Sequence, residues 1–240
     1  MKILIAPSKG RNYKKLQNEF SLTIPIYNEE ASYLQEILKQ YKKDEIASIF
    51  KIKNKILDRT YNEILNFERS EINRAIFSFN GVVYKELDLS RYTDNQFKYL
   101  SENVIILSAL YGIIKPFDGI KNYRLDMTIK FKDITLYKFW ENKINSESIN
   151  RKENEIVVNL ASNEYKKMFD GKLINIKFLE KISEFKYKQV SIYSKKARGK
   201  ILNYMILNKI DTIDEIKKFN VDNYRFSEEE SDLNNIVFIR

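Results

Sequence analysis

The chain contains no cysteine and no histidine. Without a thiol there is no peroxidatic or redox-sensing cysteine. Without an imidazole there is no Ser-His-Asp triad, no zinc finger, no His-ligated haem and no Glu-x-x-His di-iron site. Any metal would rest on carboxylates and carbonyls, which suits hard ions such as Mg²⁺. Any acid–base chemistry must come from Asp, Glu, Lys or Tyr. No cofactor is implied, and no metal held by thiols or imidazoles is possible. Long hydrophobic runs are missing too: nothing approaches the roughly 18 apolar residues of a membrane span. The opening MKILIAPSKG is too briefly apolar for a secretory signal and reads as a first strand. A cytoplasmic protein away from membranes is expected.

Turn residues are scarce as well, with six glycines and three prolines in 240 residues. A chain so poor in them places them where the backbone needs them. Two of the glycines and one proline fall in SALYGIIKPFDGIKNYRLDM (108–127), interleaved with Tyr111, Lys115, Lys121, Tyr123 and Arg124. Gly112 and Gly119 permit positive φ or a close backbone approach. Pro116 biases Lys115 away from helix. The segment is either a turn between core elements or a place where a phosphate approaches the backbone.

What the chain has in abundance is lysine, and its net charge is +9. The same sequence is rich in Asn, Ile, Phe and Tyr, as an AT-rich genome would produce, so the distribution of charge says more than its total. No acid lies between Phe185 and Ile210, whereas Lys186, Lys188, Lys195, Lys196, Arg198, Lys200 and Lys209 all do. Glu228, Glu229, Glu230 and Asp232 cluster near the C-terminus.

Hydrophobic residues make up 43% of the chain, enough for one compact unit over residues 1–240. Met1–Ala6 reads as a strand closed by the turn at 7–10, and residues 29–68 carry helical spacing. Ala75–Tyr84 is apolar and leans towards strand. A helix near 94–102 precedes a buried strand over Val104–Leu110. Thr135–Ile149 reads as helix, Glu155–Leu160 as strand, and a short helix starts at Asn163. Leu173–Lys181 and Phe185–Tyr193 read as strands. Ser194 reads as the N-cap of a helix over 195–208, and Val237–Ile239 as a last edge strand. Helices and strands are mixed throughout, so the fold class is α/β or mixed α+β, a mixed sheet flanked by helices.

FNGVVYKEL (79–87), the 108–127 segment, LYKFWENKI (136–144), VVNLASNEYKKMF (157–169) and YSKKARGKILNYMI (193–206) occur in an order that resembles the YaaA family of bacterial peroxide-stress proteins over essentially the whole chain. The resemblance implies a cytosolic protein that limits hydrogen peroxide damage arising from unincorporated iron. It also implies an α/β fold with a positively charged cleft and a helix-hairpin-helix-like element, and binding to DNA. Ala109 stands where family members commonly have a second glycine, and Ser8 and Gly10 flank Lys9 where Ala and Thr are more usual.

The candidate site residues follow from their chemistry. Leu110-Tyr111-Gly112-Ile113, with Lys115 behind, has the apolar-Gly-apolar texture of a hairpin whose N–H groups hold phosphate. On a helix, Lys195 and Arg198 share one face, and Lys196 and Lys200 another. Ala197 and Gly199 would keep that surface low, and a helix start at Ser194 would add its positive dipole. Solubilising surface charge is the plain alternative. Lys9 follows the first strand, a ligand-facing position in α/β folds. Arg124 offers a planar fork to phosphate or pairs with Asp118 or Asp126. Glu164 and Tyr165, at a strand end and helix start, are candidate acid–base groups.

Two functions are consistent with this pattern. One is a monomer that binds DNA, duplex or damaged, by its phosphates without reading sequence. The other is an enzyme on a nucleotide or other phosphorylated small molecule, with Lys9, Arg124 and Lys196 as the clamp and Glu164 or Tyr165 as acid–base groups.

Overall fold

A computed structural model describes residues 1–10, 20–145, 148–183 and 186–240. Its centre is an eight-stranded sheet: β1 (Lys2–Ile5), β2 (Val104–Ser108), β3 (Gly112–Ile114), β4 (Val157–Asn159), β5 (Ile174–Ser183), β6 (Lys186–Lys188), β7 (Arg225–Asp232) and β8 (Asn235–Ile239). The spatial order is β7-β8-β5-β4-β1-β2-β3, with β6 paired to β5. β1 runs parallel to both β2 and β4, β4 is parallel to β5, and β5 to β8. The pairs β2/β3, β5/β6 and β7/β8 are antiparallel. The KILI, VIILS and VVN runs are near-continuously apolar because both faces of these strands are covered.

Among the described residues, ten α-helices surround the sheet: α1 (Asn28–Lys39), α2 (Lys43–Phe50), α3 (Asn54–Leu65), α4 (Ala75–Ser78), α5 (Val82–Lys85), α6 (Asp94–Asn103), α7 (Leu136–Trp140), α8 (Asn163–Lys166), α9 (Ser191–Asn208) and α10 (Ile213–Lys217). The chain enters the sheet at β1, goes next to β2 on one side and returns through β4 on the other. β1 therefore marks a topological switch, and in open parallel sheets a crevice opens there beyond the carboxyl ends of the strands.

Several sequence expectations are corrected here. Ala75–Tyr84 is not a strand but two single-turn helices, α4 and α5, joined at Phe79–Gly81. The helix expected over 135–149 is confined to α7. β8 is not an edge: β7 covers it on one side and β5 on the other. The expected strand over 185–193 reduces to β6, and Phe185 lies outside the described residues. α9 begins at Ser191, so Ser194 is no cap; its hydroxyl is buried and donates to the Phe178 carbonyl at 3.2 Å.

The helix-hairpin-helix-like turn expected at 110–113 lies in a β-hairpin, because β2 and β3 pair through Ser108 and Gly112. Ser108 Oγ accepts the N–H groups of Leu110 and Tyr111 at 3.2 and 3.0 Å, so these donors are used inside the turn. Gly112 has φ +65° and lies flat against the Trp140 ring. Trp140 Nε1 donates to the Ala109 carbonyl at 3.0 Å, closing the turn from below. Ala109, Leu110, Tyr111 and Gly112 are all buried, so no phosphate reaches them.

Candidate functional site

A cavity of about 590 Å³ opens at the switch point. Ala6–Gly10, leaving β1, and Leu160 and Ser162, leaving β4, form one side. Val82–Tyr84 of α5, Tyr123–Asp126, Glu164 and Tyr165 of α8, and Ser191, Lys195 and Arg198 of α9 complete it. The face that helical spacing gives Lys195 and Arg198 in common is thus the face that α9 turns to the cavity. Gly199, one helical turn on from Lys195, helps to set this orientation. A Cβ there would lie 2.5 Å from the Val83 carbonyl oxygen and 2.8 Å from Glu86 Cβ, so only glycine lets α9 lie this close to α5. Ala197 and Gly199 are both buried, so neither lowers an open surface; Gly199 is the one that brings α9 onto α5.

Arg198 is the most telling residue of the site. Its Nε is fully enclosed and has no hydrogen-bond partner, and its guanidinium is in no ion pair among the described residues. Burial pushes its pKa down, but a guanidinium stays charged in a protein. A partly desolvated guanidinium whose Nε lacks a partner carries a cost, and it suits an anion or an acceptor-rich ligand.

The carboxylates beside it are differently placed. Asp126 is desolvated, which raises its pKa, but Lys9 Nζ at 2.8 Å and the Thr128 hydroxyl at 2.5 Å outweigh that and lower it overall. Glu164 is pushed up, first by burial and further by the charge of Asp126, against the opposing Met127 N–H at 3.1 Å and Lys9. Two neighbouring carboxyls driven apart in this way are equipped for opposite protonation roles. Lys9 favours the charged form of both. Replacing Lys9 with methionine is therefore expected to move both titrations to higher pH, readable from side-chain carboxyl carbon shifts in an NMR pH series. Unmoved titrations would remove Lys9 from this network.

A recess of about 280 Å³ adjoins the cavity and shares Lys9, Tyr123 and Arg124 with it. Its far wall is α3, through Lys55, Ile56, Arg59, Thr60 and Glu63, with Arg59 Nε paired to Glu63 at 2.8 Å. Arg124 pairs with neither Asp118 nor Asp126. Asp118 instead accepts the Thr23 hydroxyl at 2.6 Å and the Lys115 N–H at 2.7 Å.

The structure thus brings together Lys9, Arg124, Lys195, Arg198, Glu164 and Tyr165. It does not bring the other candidates there. Tyr111 and Gly112 are buried in the β2/β3 hairpin, where the Tyr111 hydroxyl accepts the Lys121 N–H. Lys115 lines a groove with Met1, Lys2 and Asn103, at the amino ends of the parallel strands and so at the opposite end of the sheet. Lys200 pairs with Asp222 at 2.6 Å, and Lys196 also feels that carboxylate. Sequence reasoning misses Lys55 and Arg59, although their i,i+4 spacing in a helical region is a signal that could find them.

The family model described as "Peroxide stress protein YaaA" matches residues 1–230. The chain belongs to the YaaA family of peroxide stress proteins. It is 39% identical to a UPF0246 protein of Fusobacterium nucleatum, covering all of this chain and 99% of the relative. It is 38% identical to a UPF0246 protein of Francisella philomiragia and 36% identical to one of Francisella tularensis, with both chains covered in full. The segments 79–87 and 193–206 contain α5 and the greater part of α9, which meet at Gly199. No helix among the described residues is long and apolar enough to cross a membrane.

Proposed function

We propose that this protein acts under peroxide stress in the cytoplasm by binding the phosphate backbone of DNA, without reading sequence, across the two adjoining recesses. The observation that carries this reading is the convergence of Lys9, Arg124 and Lys195, from three separate parts of the chain, on one face of the cavity. Lys55, and Arg59 with its partner Glu63, continue the polar lining along the neighbouring recess, giving a track longer than a single small ligand needs. Phosphate binding of this kind releases counterions, so affinity falls steeply with salt. Fluorescence anisotropy of a labelled duplex across a salt series is the test. Removing Arg124 and Lys195 together by alanine is expected to weaken binding uniformly across sequences. It should flatten the log–log salt slope by about two, one for each phosphate no longer neutralised. An unchanged slope, or no duplex binding by the intact protein, would refute the reading.

A second reading, catalysis on a nucleotide or other phosphorylated small molecule, is favoured by one specific observation: the divergent carboxyls of Asp126 and Glu164 in a cavity of ligand size. Glu164 would supply the proton and Lys9, Arg124 and Lys195 the phosphate clamp. Turnover of a phosphorylated nucleoside that disappears in Glu164→Gln, with duplex binding retained, would establish it.

A further inference from the structure

A surface that only follows a phosphate backbone needs exposed cations and no depth. This one has depth. The cavity of about 590 Å³ is within the range of small-ligand sites, and Val83, Leu125, Leu160 and Tyr165 give it apolar walls. Its cations are also graded. Lys9 and Lys195 are exposed, whereas Arg198 is largely buried with its Nε enclosed. Phosphate lying outside is met by the lysines and by Arg124, and Arg198 is left for something that enters.

We propose that the cavity is a pocket for a single guanine nucleotide, with its phosphate held by Lys9, Arg124 and Lys195 and its base read by Arg198 and Glu164. The chemistry of the base selects this class. A guanidinium presents a planar fork of donors, and guanine N7 and O6 form the adjacent acceptor pair that such a fork matches. Guanine also carries donors at N1 and N2, and Glu164 is the carboxyl of the cavity not already paired with a lysine, since Lys9 is bound to Asp126. Adenine offers N6–H₂ where guanine offers O6, so it turns a donor towards a group that only donates. The apolar walls exclude water from the base and make an unmatched polar edge expensive.

The nucleotide has two sources, the free pool or a DNA strand from which one residue is extruded. For the second source the proposal rests on the DNA-binding reading above; for the first it stands without it. Extrusion costs a few kcal/mol and is least costly at a mismatch. The test therefore has two arms. In the first, GMP, AMP, CMP and UMP are titrated calorimetrically into the intact protein and into Arg198→Met and Lys195→Ala. GMP is expected to bind at least tenfold tighter than AMP. Arg198→Met is expected to abolish that preference, and Lys195→Ala to weaken all four alike.

In the second arm, permanganate reactivity is followed at the thymine of a G·T mismatch in a duplex. The intact protein is expected to raise it, and Arg198→Met to leave it at the level of free DNA while still binding duplex. GMP preference without thymine exposure assigns the site to free nucleotides, and both together assign it to DNA. Equal binding of all four mononucleotides, or none, with no thymine exposure overturns the pocket, even where duplex binding survives. Thermal unfolding of each variant confirms that a missing signal does not come from a missing fold.

Discussion

Replacing Gly112 with valine is expected to lower the melting temperature by roughly 10 °C, through two costs of different origin. Gly112 sits at φ +65°, where a β-branched residue carries roughly 1–3 kcal/mol of backbone strain. In addition, a Cβ would lie 2.6 Å from Trp140 Cζ3 and 2.9 Å from two further ring atoms. The indole cannot swing aside: it is fully buried, donates to the Ala109 carbonyl, and packs edge-on to Phe139 at 4.9 Å between centroids. Overpacking of this kind costs roughly 1–3 kcal/mol. For a chain of this length each kcal/mol is worth about 2–4 °C. A melting temperature within two or three degrees of the parent, by calorimetry at one concentration, would mean that the turn relaxes freely and that Trp140 does not lock it.

The opposite sign is expected for Arg198→Met. Most substitutions destabilise, but removing a largely buried guanidinium whose Nε has no partner relieves a standing cost, and methionine keeps much of the packing of the aliphatic stem. Replacing buried, imperfectly satisfied charge by an apolar side chain is often neutral or stabilising by roughly 1–4 kcal/mol. A gain of about 1–2 kcal/mol in urea unfolding is expected here, because the guanidinium retains some solvent access. The same variant is expected to lose its preference for guanine. A protein that becomes more stable as it loses discrimination identifies the residue as kept for binding. A clear loss of stability would instead mean that Arg198 supports the fold.

Much of the architecture is legible from residue order. The strands through Lys2–Ile5, Val104–Ser108 and Val157–Asn159 show as apolar runs bounded by turn residues, and α6 and α8 as short helical patterns beside them. Where sequence and structure part, the cause is tertiary. AIFSFNGVVY is apolar enough for a buried strand, and periodicity alone does not separate that from the buried single-turn helices α4 and α5. Ser194 has the chemistry of an N-cap, but its hydroxyl is claimed by the Phe178 carbonyl of a strand sixteen residues earlier, and α9 starts a turn sooner.

The candidate site divides in the same way. Lys195 with Arg198 is readable because helical spacing puts them on one face, and Lys9 because it leaves the first strand. Lys115 is not, because neither spacing nor charge says which end of the sheet a hairpin returns to. Asp222, the partner of Lys200, is 22 residues away and in positive-φ backbone, so the acid-free stretch of sequence looks more electropositive than its surroundings are. Arg124 and Asp126 are two residues apart, yet Asp126 chooses Lys9 across the cavity.

The contact of Gly199 with the Val83 carbonyl has a bearing on rigidity. Where two side chains interlock, a gap between helices can widen by a change of rotamer. Here main chain bears on main chain, and neither partner has a dihedral to spare. The corner of the cavity where α5 meets α9 is consequently a stiff one, set by backbone rather than by rotamers.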